Sequence, residues 1–274
     1  MAEVSAKPGN RDGFNSICGG RSGVFDTTEQ LLRSCISRSQ SRVELWAHFI
    51  EATGVRRMAE IGVYRGDFAA EVLRRCNQLT AYYMIDPWRH LKDWNKPTNH
   101  DDRVLEEFFQ ETRTKTDFAA AKRIILRGKT TEVIDEIPDG ELDFAYIDGD
   151  HTLRGIAIDL IRLYPKVRTS GFIGGDDFNQ SIWMHKTSFE PTLVFPFAVY
   201  FAEAVGAKIY ALPNIQFCLQ KTDKPEFDFV DLTGQYNDVN LRNQLLPEKL
   251  LKLSFSERHP NLARIFRKSR ELIS

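Results

Sequence analysis

Two acidic clusters hold the side chains of this sequence that are best suited to chemistry. The first is Tyr146–His151 (YIDGDH) and the second is Gly174–Phe178 (GGDDF), and each lies at the end of a short apolar run. Carboxylates gathered without a nearby lysine repel each other, and their pKa values rise unless a cation neutralises them. Mg²⁺ and similar hard cations bind such oxygen ligands and keep positions open for substrate oxygens. We therefore expect a divalent metal ion at these carboxylates.

The elements around the two clusters determine whether the clusters meet. Residues Leu153–Tyr164 lie between them and carry apolar side chains at helical spacing, so the unit is predicted to be strand, loop, helix and strand. Connections of this kind join parallel strands, whose carboxyl ends share the edge of the sheet where ligands bind. Both acidic clusters are thus predicted to lie together at a ligand-binding edge.

The same alternation of strand and helix extends over most of the chain. The predicted strands are Arg57–Ile61, Ala81–Ile85, Arg123–Leu126, Leu142–Ile147, Gly171–Ile173, Lys208–Leu212 and Gln216–Gln220. The predicted helices between them are Asp67–Cys76, Asp101–Thr114, Thr130–Ile137, Leu153–Tyr164 and Pro196–Val205. This order predicts an α/β fold with a mostly parallel sheet, helices on both faces and a closing antiparallel hairpin.

The first strand ends in a turn that contains two glycines, Gly62 and Gly66, and a helix follows. Glycine allows a ligand to lie against the backbone in such a turn. The spacing differs from the GxGxxG fingerprint of dinucleotide-binding proteins, and Glu60 would repel phosphate, so the turn favours a ligand with a cationic, amino-acid-like end. Asp86 ends the second strand, where an acidic side chain can accept hydrogen bonds from ribose hydroxyls.

The order of these motifs resembles that of class I S-adenosylmethionine-dependent methyltransferases. The segment Glu60–Gly66 (EIGVYRG), then Asp86, Asp148, the strand that begins at Gly171 and the closing hairpin match that family from about residue 55 to 221. The acidic clusters resemble those of the metal-dependent O-methyltransferases that modify sugars of antibiotics and, more distantly, those of the catechol O-methyltransferases. The resemblance implies a Rossmann-like methyltransferase sheet and S-adenosylmethionine as the cofactor.

The resemblance also implies roles for individual residues. The residues implied to contact the cofactor are Glu60, Gly62, Tyr64, Gly66, Asp86, Gly128 and Asp148. Those implied to bind the metal ion, expected to be Mg²⁺, are Asp148, Asp176 and Asp177. His151 falls on the general base that deprotonates a metal-bound hydroxyl, and an ordinary histidine pKa of about 6.5 suits a base near neutrality. His151 and Asp148 are thus the expected catalytic residues.

The sequence leaves other interpretations of these residues open. Aspartates often cap helices and turns, so the acids could be structural in a metal-independent methyltransferase. Asp150 could cap the helix that begins near Thr152, or it could orient the site from outside. A non-catalytic binding or scaffold protein that keeps only the cofactor-binding fold is a further alternative. Trp88, Trp94 and Trp183 lie in loops beyond strand ends and could form walls of a substrate pocket.

The composition gives no sign of a nucleic-acid or membrane partner. The net charge is -1 over 274 residues, so no overall field attracts nucleic acid. No apolar run is long enough to span a membrane, and Met1–Asn10 lacks the apolar core of a secretory signal. The 4 cysteines match no metal or redox spacing and fit reduced thiols. The composition therefore favours a cytoplasmic protein, and the resemblance implies an enzyme whose acceptor is a hydroxylated small molecule or a glycosyl unit.

The chain is predicted to divide into four parts. Residues 1–24 are a flexible leader, 25–54 an N-terminal helical extension, 55–221 the methyltransferase domain and 222–274 a C-terminal extension with a basic helix. Apolar-faced helices such as those in 25–54 commonly cover an active site or pair with another subunit, so a homodimer is predicted. The basic helix, Glu248–Ser274, is interpreted as a solvated helix packed on the domain through leucines such as Leu251. The alternative is a contact surface for a partner.

Overall fold

The computed structural model describes residues 27–236 and 241–261. The α-helices in these ranges are α1 (Thr27–Arg38), α2 (Arg42–Thr53), α3 (Asp67–Arg75), α4 (Asp102–Lys115), α5 (Thr130–Val133), α6 (Leu153–Leu163), α7 (Val194–Val205), α8 (Leu241–Gln244) and α9 (Pro247–Arg258). The strands are β1 (Arg57–Ile61), β2 (Ala81–Asp86), β3 (Arg123–Arg127), β4 (Leu142–Ile147), β5 (Val167–Gly175), β6 (Lys208–Leu212), β7 (Gln216–Gln220) and β8 (Asp228–Asp231). None of the described helices is long and apolar enough to cross a bilayer. The predicted leader over 1–24 lies outside the described residues.

The described strands form one 8-stranded sheet in the order β3-β2-β1-β4-β5-β7-β6-β8. Strands β1 to β5 pair in parallel, whereas β7 runs antiparallel to both β5 and β6. The chain winds from β1 to β3 in one direction and restarts at β4 in the other, which opens a crevice at the carboxyl ends of β1 and β4. The predicted α/β fold, with a mostly parallel sheet and a closing hairpin, is confirmed.

Most elements lie within a few residues of their predicted bounds, and three differ. Strand β5 begins at Val167 rather than Gly171, because its polar first half contains a register shift that the apolar pattern does not reveal. The predicted helix Thr130–Ile137 is one α-helical turn, α5, followed by the 3₁₀ turn Ile134–Glu136. Strand β8, which pairs in parallel with β6, was not predicted because it is short and has an acid at each end.

Alternate side chains of the central strands form two cores on opposite faces of the sheet. In β4, Ala145 and Ile147 belong to the core under α6 and α7, whereas Phe144 and Tyr146 belong to the core under α2 and α3. All four side chains are at most 1% exposed. A strand buried on both faces needs such a continuous apolar run, and each large apolar side chain buried in this way stabilises the fold by about 1.5–3 kcal/mol.

Helix α2 is held against the second core by aromatic rings. The ring of Trp46 lies with its centroid 5.2 Å from that of Phe144 and 5.6 Å from that of Tyr146. Gly174 of β5 leaves room for this ring, since a Cβ at that position would lie 2.4 Å from Trp46. The helix begins after Ser41, whose hydroxyl accepts a backbone hydrogen bond as the N-cap. Its first turn thereby lies at the carboxyl edge of β4 and β5.

The apolar faces of α1 and α2 are buried within the chain itself. Leu32 and Cys35 of α1, and Phe49 and Ile50 of α2, are each 0% exposed. The apolar faces of these helices, from which a homodimer was predicted, are therefore already covered within one chain. The assembly stays a prediction.

Helix α9 packs less closely than expected. None of its residues is fully buried, and Leu251 is 70% exposed, whereas Leu250 and Leu253 are half-buried. Of the leucines expected to pack on the domain, Leu251 therefore faces solvent and the other two are partly covered. Residues 262–274 of the predicted helix lie outside the described residues.

The described cysteines are free and buried, and they are Cys35, Cys76 and Cys218. Burial raises the pKa of Cys76 to about 11 and raises that of Cys218 further, so both remain protonated near neutrality. Protonated buried thiols are poor nucleophiles and poor metal ligands, which agrees with the prediction of reduced, structural cysteines. Cys18 lies outside the described residues.

Candidate active site

A large cavity opens at the carboxyl edge of the sheet, across the switch between β1 and β4. Its volume is about 830 Å³, which is within the range of about 300–1,000 Å³ that is usual for small-molecule sites. The predicted site residues that line the cavity are Glu60, Gly62, Tyr64, Asp86, Gly128, Asp148, His151 and Asp177. Gly66 and Asp176 are not among the lining residues.

The turn after β1 is shaped by Gly62. Its φ is +87°, and an added Cβ would lie 2.1 Å from the carbonyl oxygen of Asp148. The ends of β1 and β4 therefore approach so closely that only glycine fits between them. Tyr64 follows with a φ of 53°, a left-handed conformation that is uncommon for residues other than glycine. This tight turn forms one wall of the cavity.

Asp86 supports the same turn from the next strand. Its Oδ2 accepts a hydrogen bond of 2.9 Å from the backbone N–H of Tyr64, and its Oδ1 accepts one of 2.8 Å from that of Trp88. Burial raises the pKa of Asp86, although these backbone hydrogen bonds oppose the rise. Each carboxylate oxygen has a further lone pair, so the side chain retains capacity for ribose hydroxyls. That contact stays a prediction.

The other predicted cofactor residues differ in what they can contribute. Gly66 is the N-cap of α3 with a φ of 72°, and Gly128 packs so tightly that an added Cβ would lie 2.5 Å from Val133. Glu60 is 1% exposed, and the Tyr82 hydroxyl donates a hydrogen bond of 2.7 Å to it. Burial raises the pKa of Glu60 to about 8. Its carboxyl therefore favours the protonated form while no cation lies beside it, and the predicted contact with a cationic ligand stays a prediction.

His151 and Asp177 form a pair in the cavity wall, with side chains that are 13% and 17% exposed. Nδ1 of His151 lies 2.5 Å from Oδ2 of Asp177. Nε2 of the same ring is buried and makes no hydrogen bond with any described residue, and Oδ1 of Asp148 is 3.6 Å away. Burial lowers the pKa of His151, but the hydrogen bond and charge of Asp177, together with the charge of Asp148, raise it by more. The imidazole is thus oriented by Asp177 and leaves Nε2 available for a proton.

The backbone at Asp177 is unusual and helps to aim its side chain. Its φ is 57°, in the left-handed region that aspartate tolerates better than most residues. Burial raises the pKa of Asp177, yet the hydrogen bond and charge of His151 lower it by more, so the carboxylate is ionised beside the ring. Sparsely populated backbone conformations of this kind concentrate at functional sites.

Arg42, the first residue of α2, reaches the other two acids of the predicted metal site. Its Nη1 lies 2.9 Å from Oδ2 of Asp148 and also contacts Oδ2 of Asp176. Burial raises the pKa of Asp148, although the charges of His151 and Arg42 oppose the rise. One guanidinium therefore bridges carboxylates from the ends of β4 and β5.

A buried network holds Asp176 beneath this bridge. Gln216 of β7 donates from Nε2 to Oδ1 of Asp176 at 2.5 Å. The Oε1 of Gln216 accepts hydrogen bonds from the Trp46 indole at 2.8 Å and from the Tyr146 hydroxyl at 2.7 Å. Gln216 is 0% exposed, so each of these polar groups needs a protein partner. The network links α2, β4 and β7 to the same carboxylate.

The arrangement does not fit the predicted Mg²⁺ on Asp148, Asp176 and Asp177. Arg42 takes an oxygen of Asp148 and one of Asp176, Gln216 takes the second oxygen of Asp176, and Asp177 binds His151. Among the residues that the structure describes, no group of three or more His, Cys, Asp or Glu side chains is arranged to hold a metal ion. The acids do lie together at one sheet edge, as predicted, but protein cations neutralise them.

The loop before α4 is paired with two other loops in the wall of the cavity. Lys96 is 6% exposed, and its Nζ donates to the carbonyl oxygen of Glu190 at 2.9 Å and to the hydroxyl of Thr192 at 3.2 Å. Burial lowers the pKa of Lys96, while nearby acids oppose the fall. Trp94 donates from its indole to Oδ1 of Asp150 at 2.9 Å. These contacts fix the loop before α4 against the loops after β4 and β5.

The structure shows where Asp150 and the three tryptophans of the sequence analysis lie relative to the cavity. Oδ1 of Asp150 accepts a hydrogen bond from the backbone N–H of Thr152 at 3.0 Å, whereas Thr152 itself caps α6. Trp88 and Trp94 line the cavity as expected, and Trp183 does not, since its indole donates to a carbonyl oxygen in α8. Asp150 therefore links Trp94 to the residue that begins α6, and its role in orienting the site stays a prediction.

Sequence reasoning missed Arg42, Gln216 and Lys96. Arg42 and Lys96 lie outside the two acidic clusters, and Gln216 was assigned only to a hairpin strand. One signal was available for Arg42, because a cation in the first turn of a helix opposes the helix dipole and needs a compensating partner.

Known proteins resemble this chain in sequence over one region and in fold more widely. Residues 59–178 match the family model described as a methyltransferase domain. No curated protein matches the sequence significantly. Among solved structures, the chain is similar to an O-methyltransferase from Bacillus cereus in complex with SAH, with 14% identity, 72% of this chain and 92% of that chain covered, and a TM-score of 0.47. It is also similar to the O-methyltransferase TomG from Streptomyces achromogenes in complex with SAM, with 11% identity, 70% and 90% covered, and a TM-score of 0.44.

The family match spans β1 to the end of β5, which is the part of the sheet that surrounds the cavity. It includes the glycine turn, Asp86 and both acidic clusters. Over residues 59–178 the chain is therefore similar to a methyltransferase domain, in agreement with the expectation from the sequence.

Proposed function

We propose that this protein transfers a methyl group from S-adenosylmethionine to a hydroxyl oxygen of a small molecule or glycosyl unit. The observation that carries the proposal is the His151–Asp177 pair, whose unpaired Nε2 is buried in the wall of the cavity. A hydroxyl acceptor needs a base because its oxygen is a weak nucleophile until the proton leaves.

The cofactor half of the cavity has the residues that such a cofactor requires. Gly62 and Tyr64 form a close turn without side-chain obstruction from Gly62, and Asp86 keeps acceptor capacity at the end of β2. Gly128 lies at the end of β3, further along the same edge. When bound, S-adenosylmethionine supplies a methyl group on a positively charged sulfur, so no protein acid has to activate it.

The residues on the acceptor side of the cavity have separate roles in this proposal. Nε2 of His151 accepts the hydroxyl proton, and Asp177 stabilises the resulting imidazolium through the 2.5 Å contact at Nδ1. Trp94 and Lys96 hold the paired loops that close the acceptor side and limit access of water. The volume of about 830 Å³ restricts the acceptor to a small molecule or a small exposed unit of a larger one.

The test uses the full chain with S-adenosylmethionine and a panel of catechols, glycosides and nucleotide sugars. We expect a methylated product together with S-adenosylhomocysteine, detected by mass spectrometry. His151→Ala should lower turnover by about two to four orders of magnitude, the usual contribution of a general base. Binding of S-adenosylhomocysteine, measured by calorimetry, should persist because the contacts of Gly62 and Asp86 are unchanged.

His48→Ala is the matched control. His48 lies on α2, is hydrogen-bonded to Ser39 and does not line the cavity, so turnover should stay at the wild-type level. Normal turnover by His151→Ala would contradict the proposed base. Cofactor binding without turnover on any hydroxylated acceptor would favour the non-catalytic alternative.

A further inference from the structure

We propose that Arg42 is the resident cation of this active site, in the place where the acidic clusters predict a divalent metal ion, so that methyl transfer does not depend on a metal. This inference rests on the proposed function, because the acceptor is positioned beside the same carboxylates. In this proposal Arg42 is a positioning residue. It neutralises Asp148 and Asp176 and holds the carboxyl ends of β4 and β5 together at the site.

The contacts of Arg42 are those that a bridging cation would make. Its Nη1 contacts one carboxylate oxygen from the end of β4 and one from the end of β5. The side chains of Asp148 and Asp176 are only 22% and 12% exposed. Their ion pairs with Arg42 therefore differ from solvated ion pairs at a protein surface. A divalent ion would need the same oxygens, and two cations at that spacing would repel each other.

The position of Arg42 is fixed by the fold rather than by a flexible chain. Four residues after Arg42 along α2, the buried ring of Trp46 fills the space that Gly174 leaves open, and its indole is hydrogen-bonded to Gln216. Gln216 in turn holds Asp176, one of the two acids that Arg42 binds. The same network therefore positions the cation and its anion.

The location of the cation on α2 is unfavourable unless it has acidic partners. A positive side chain in the first turn of a helix opposes the helix dipole. Arg42 is nevertheless placed there, and the acids that it binds follow the ends of strands that lie more than one hundred positions away along the chain. Arg42 also lines the cavity, so its charge acts on whatever binds there.

The first experiment measures metal binding without any acceptor. Wild-type full chain is titrated with MnCl₂ by calorimetry, and free Mn²⁺ is followed by electron paramagnetic resonance. We expect no binding in the micromolar range. Arg42→Ala frees the carboxylates of Asp148 and Asp176 and should bind Mn²⁺ at least about tenfold more tightly than wild type, because these two acids then lack their main cation. Arg42→Lys, which keeps the charge, should resemble wild type.

Two further variants separate this effect from a general loss of structure. Arg103→Ala removes an arginine that is 81% exposed on α4 and should change neither Mn²⁺ binding nor thermal unfolding. Arg42→Ala combined with Asp148→Asn should lose the gained Mn²⁺ binding. Stoichiometric micromolar Mn²⁺ binding by wild type, or a folded Arg42→Ala protein that gains none, would overturn the proposal.

Turnover provides an independent readout. Wild-type turnover should be unchanged by a chelator, whereas any residual turnover of Arg42→Ala should become sensitive to the chelator and rise with added Mn²⁺. Loss of wild-type turnover in chelator, with recovery on adding Mg²⁺, would also overturn the assignment. Failure of the proposed function is distinguished by S-adenosylhomocysteine binding and by product formation, which do not involve the Mn²⁺ titration.

Discussion

Nδ1 of His151 lies 2.5 Å from Oδ2 of Asp177, while Nε2 of the same ring is buried without a hydrogen-bond partner among the described residues. Nδ1 is thus paired with the protein, whereas Nε2 has no such partner, and His151 is one of the residues that line the cavity. This geometry fixes the tautomer in which Nδ1 carries the proton and Nε2 accepts one. The consequences for pH dependence follow directly.

Asp177→Asn should move the acidic limb of the pH–rate profile to lower pH. The base is active when neutral, so turnover rises with pH through the pKa of His151. Asp177 raises that pKa, whereas burial lowers it. When the charge of Asp177 is removed, the effect of burial lowers the pKa of His151. Turnover at the plateau should also fall by about ten- to a hundredfold, because the imidazole ring is less well oriented. Asp139→Asn, an exposed change, serves as the control, and an unshifted limb in Asp177→Asn would contradict the pairing.

Asp86→Ala should weaken binding of S-adenosylhomocysteine by about 1.5–3 kcal/mol, the scale of hydrogen bonds to a charged group. The structure adds a second reason, because the backbone N–H groups of Tyr64 and Trp88 lose their acceptor and the turn loosens. Asp86→Asn keeps one acceptor oxygen and should lose less. Calorimetry provides the affinities, with thermal unfolding as the check on folding, and unchanged affinity in a folded Asp86→Ala protein would remove the assignment.

Gly62→Ala should destabilise the protein and abolish cofactor binding. Both Gly62 and Gly140 have a left-handed backbone, with φ of +87° and +71°, but an added Cβ meets Asp148 only at Gly62 and open space at Gly140. Gly140→Ala should therefore show the backbone strain alone, about 1–2 kcal/mol. Denaturant unfolding of the two variants gives the loss of stability for each. The excess loss in Gly62→Ala measures the clash of the added Cβ with Asp148. Equal losses of stability would show that β1 and β4 separate without difficulty.

Glu60→Gln should flatten the pH dependence of stability. The pKa of Glu60 is about 8 in the folded chain and near 4.5 when unperturbed, so between these values the folded state holds a proton that the unfolded state has lost. Stability therefore falls as pH rises through this window, by at most about 1.4 kcal/mol per pH unit from this group. Denaturation curves from pH 5 to pH 8 measure the slope, with the exposed change Glu107→Gln as the control. An unchanged slope in Glu60→Gln would mean that Glu60 is ionised in the fold.

The sequence by itself determined the elements and the edge where chemistry occurs. The apolar runs before Asp148 and Asp176 specify buried parallel strands, and the helix between them requires a crossover that brings both carboxyl ends to one edge. Gly62 could be recognised because a turn at a strand end that needs a positive φ favours glycine. These inferences depend on local pattern and on rules of connection, and both are contained in the order of residues.

Only the tertiary structure shows that Arg42 is the cation that contacts Asp148 and Asp176. Arg42 and Asp148 are separated by 106 positions, and no local pattern relates them. Their contact depends on where α2 lies on the sheet, and that is fixed by the fit of Trp46 over Gly174 and by the hydrogen bond of its indole to Gln216. Packing of this kind is a property of surfaces brought together from distant parts of the chain, so the residues that neutralise a buried charge become visible only in the folded protein.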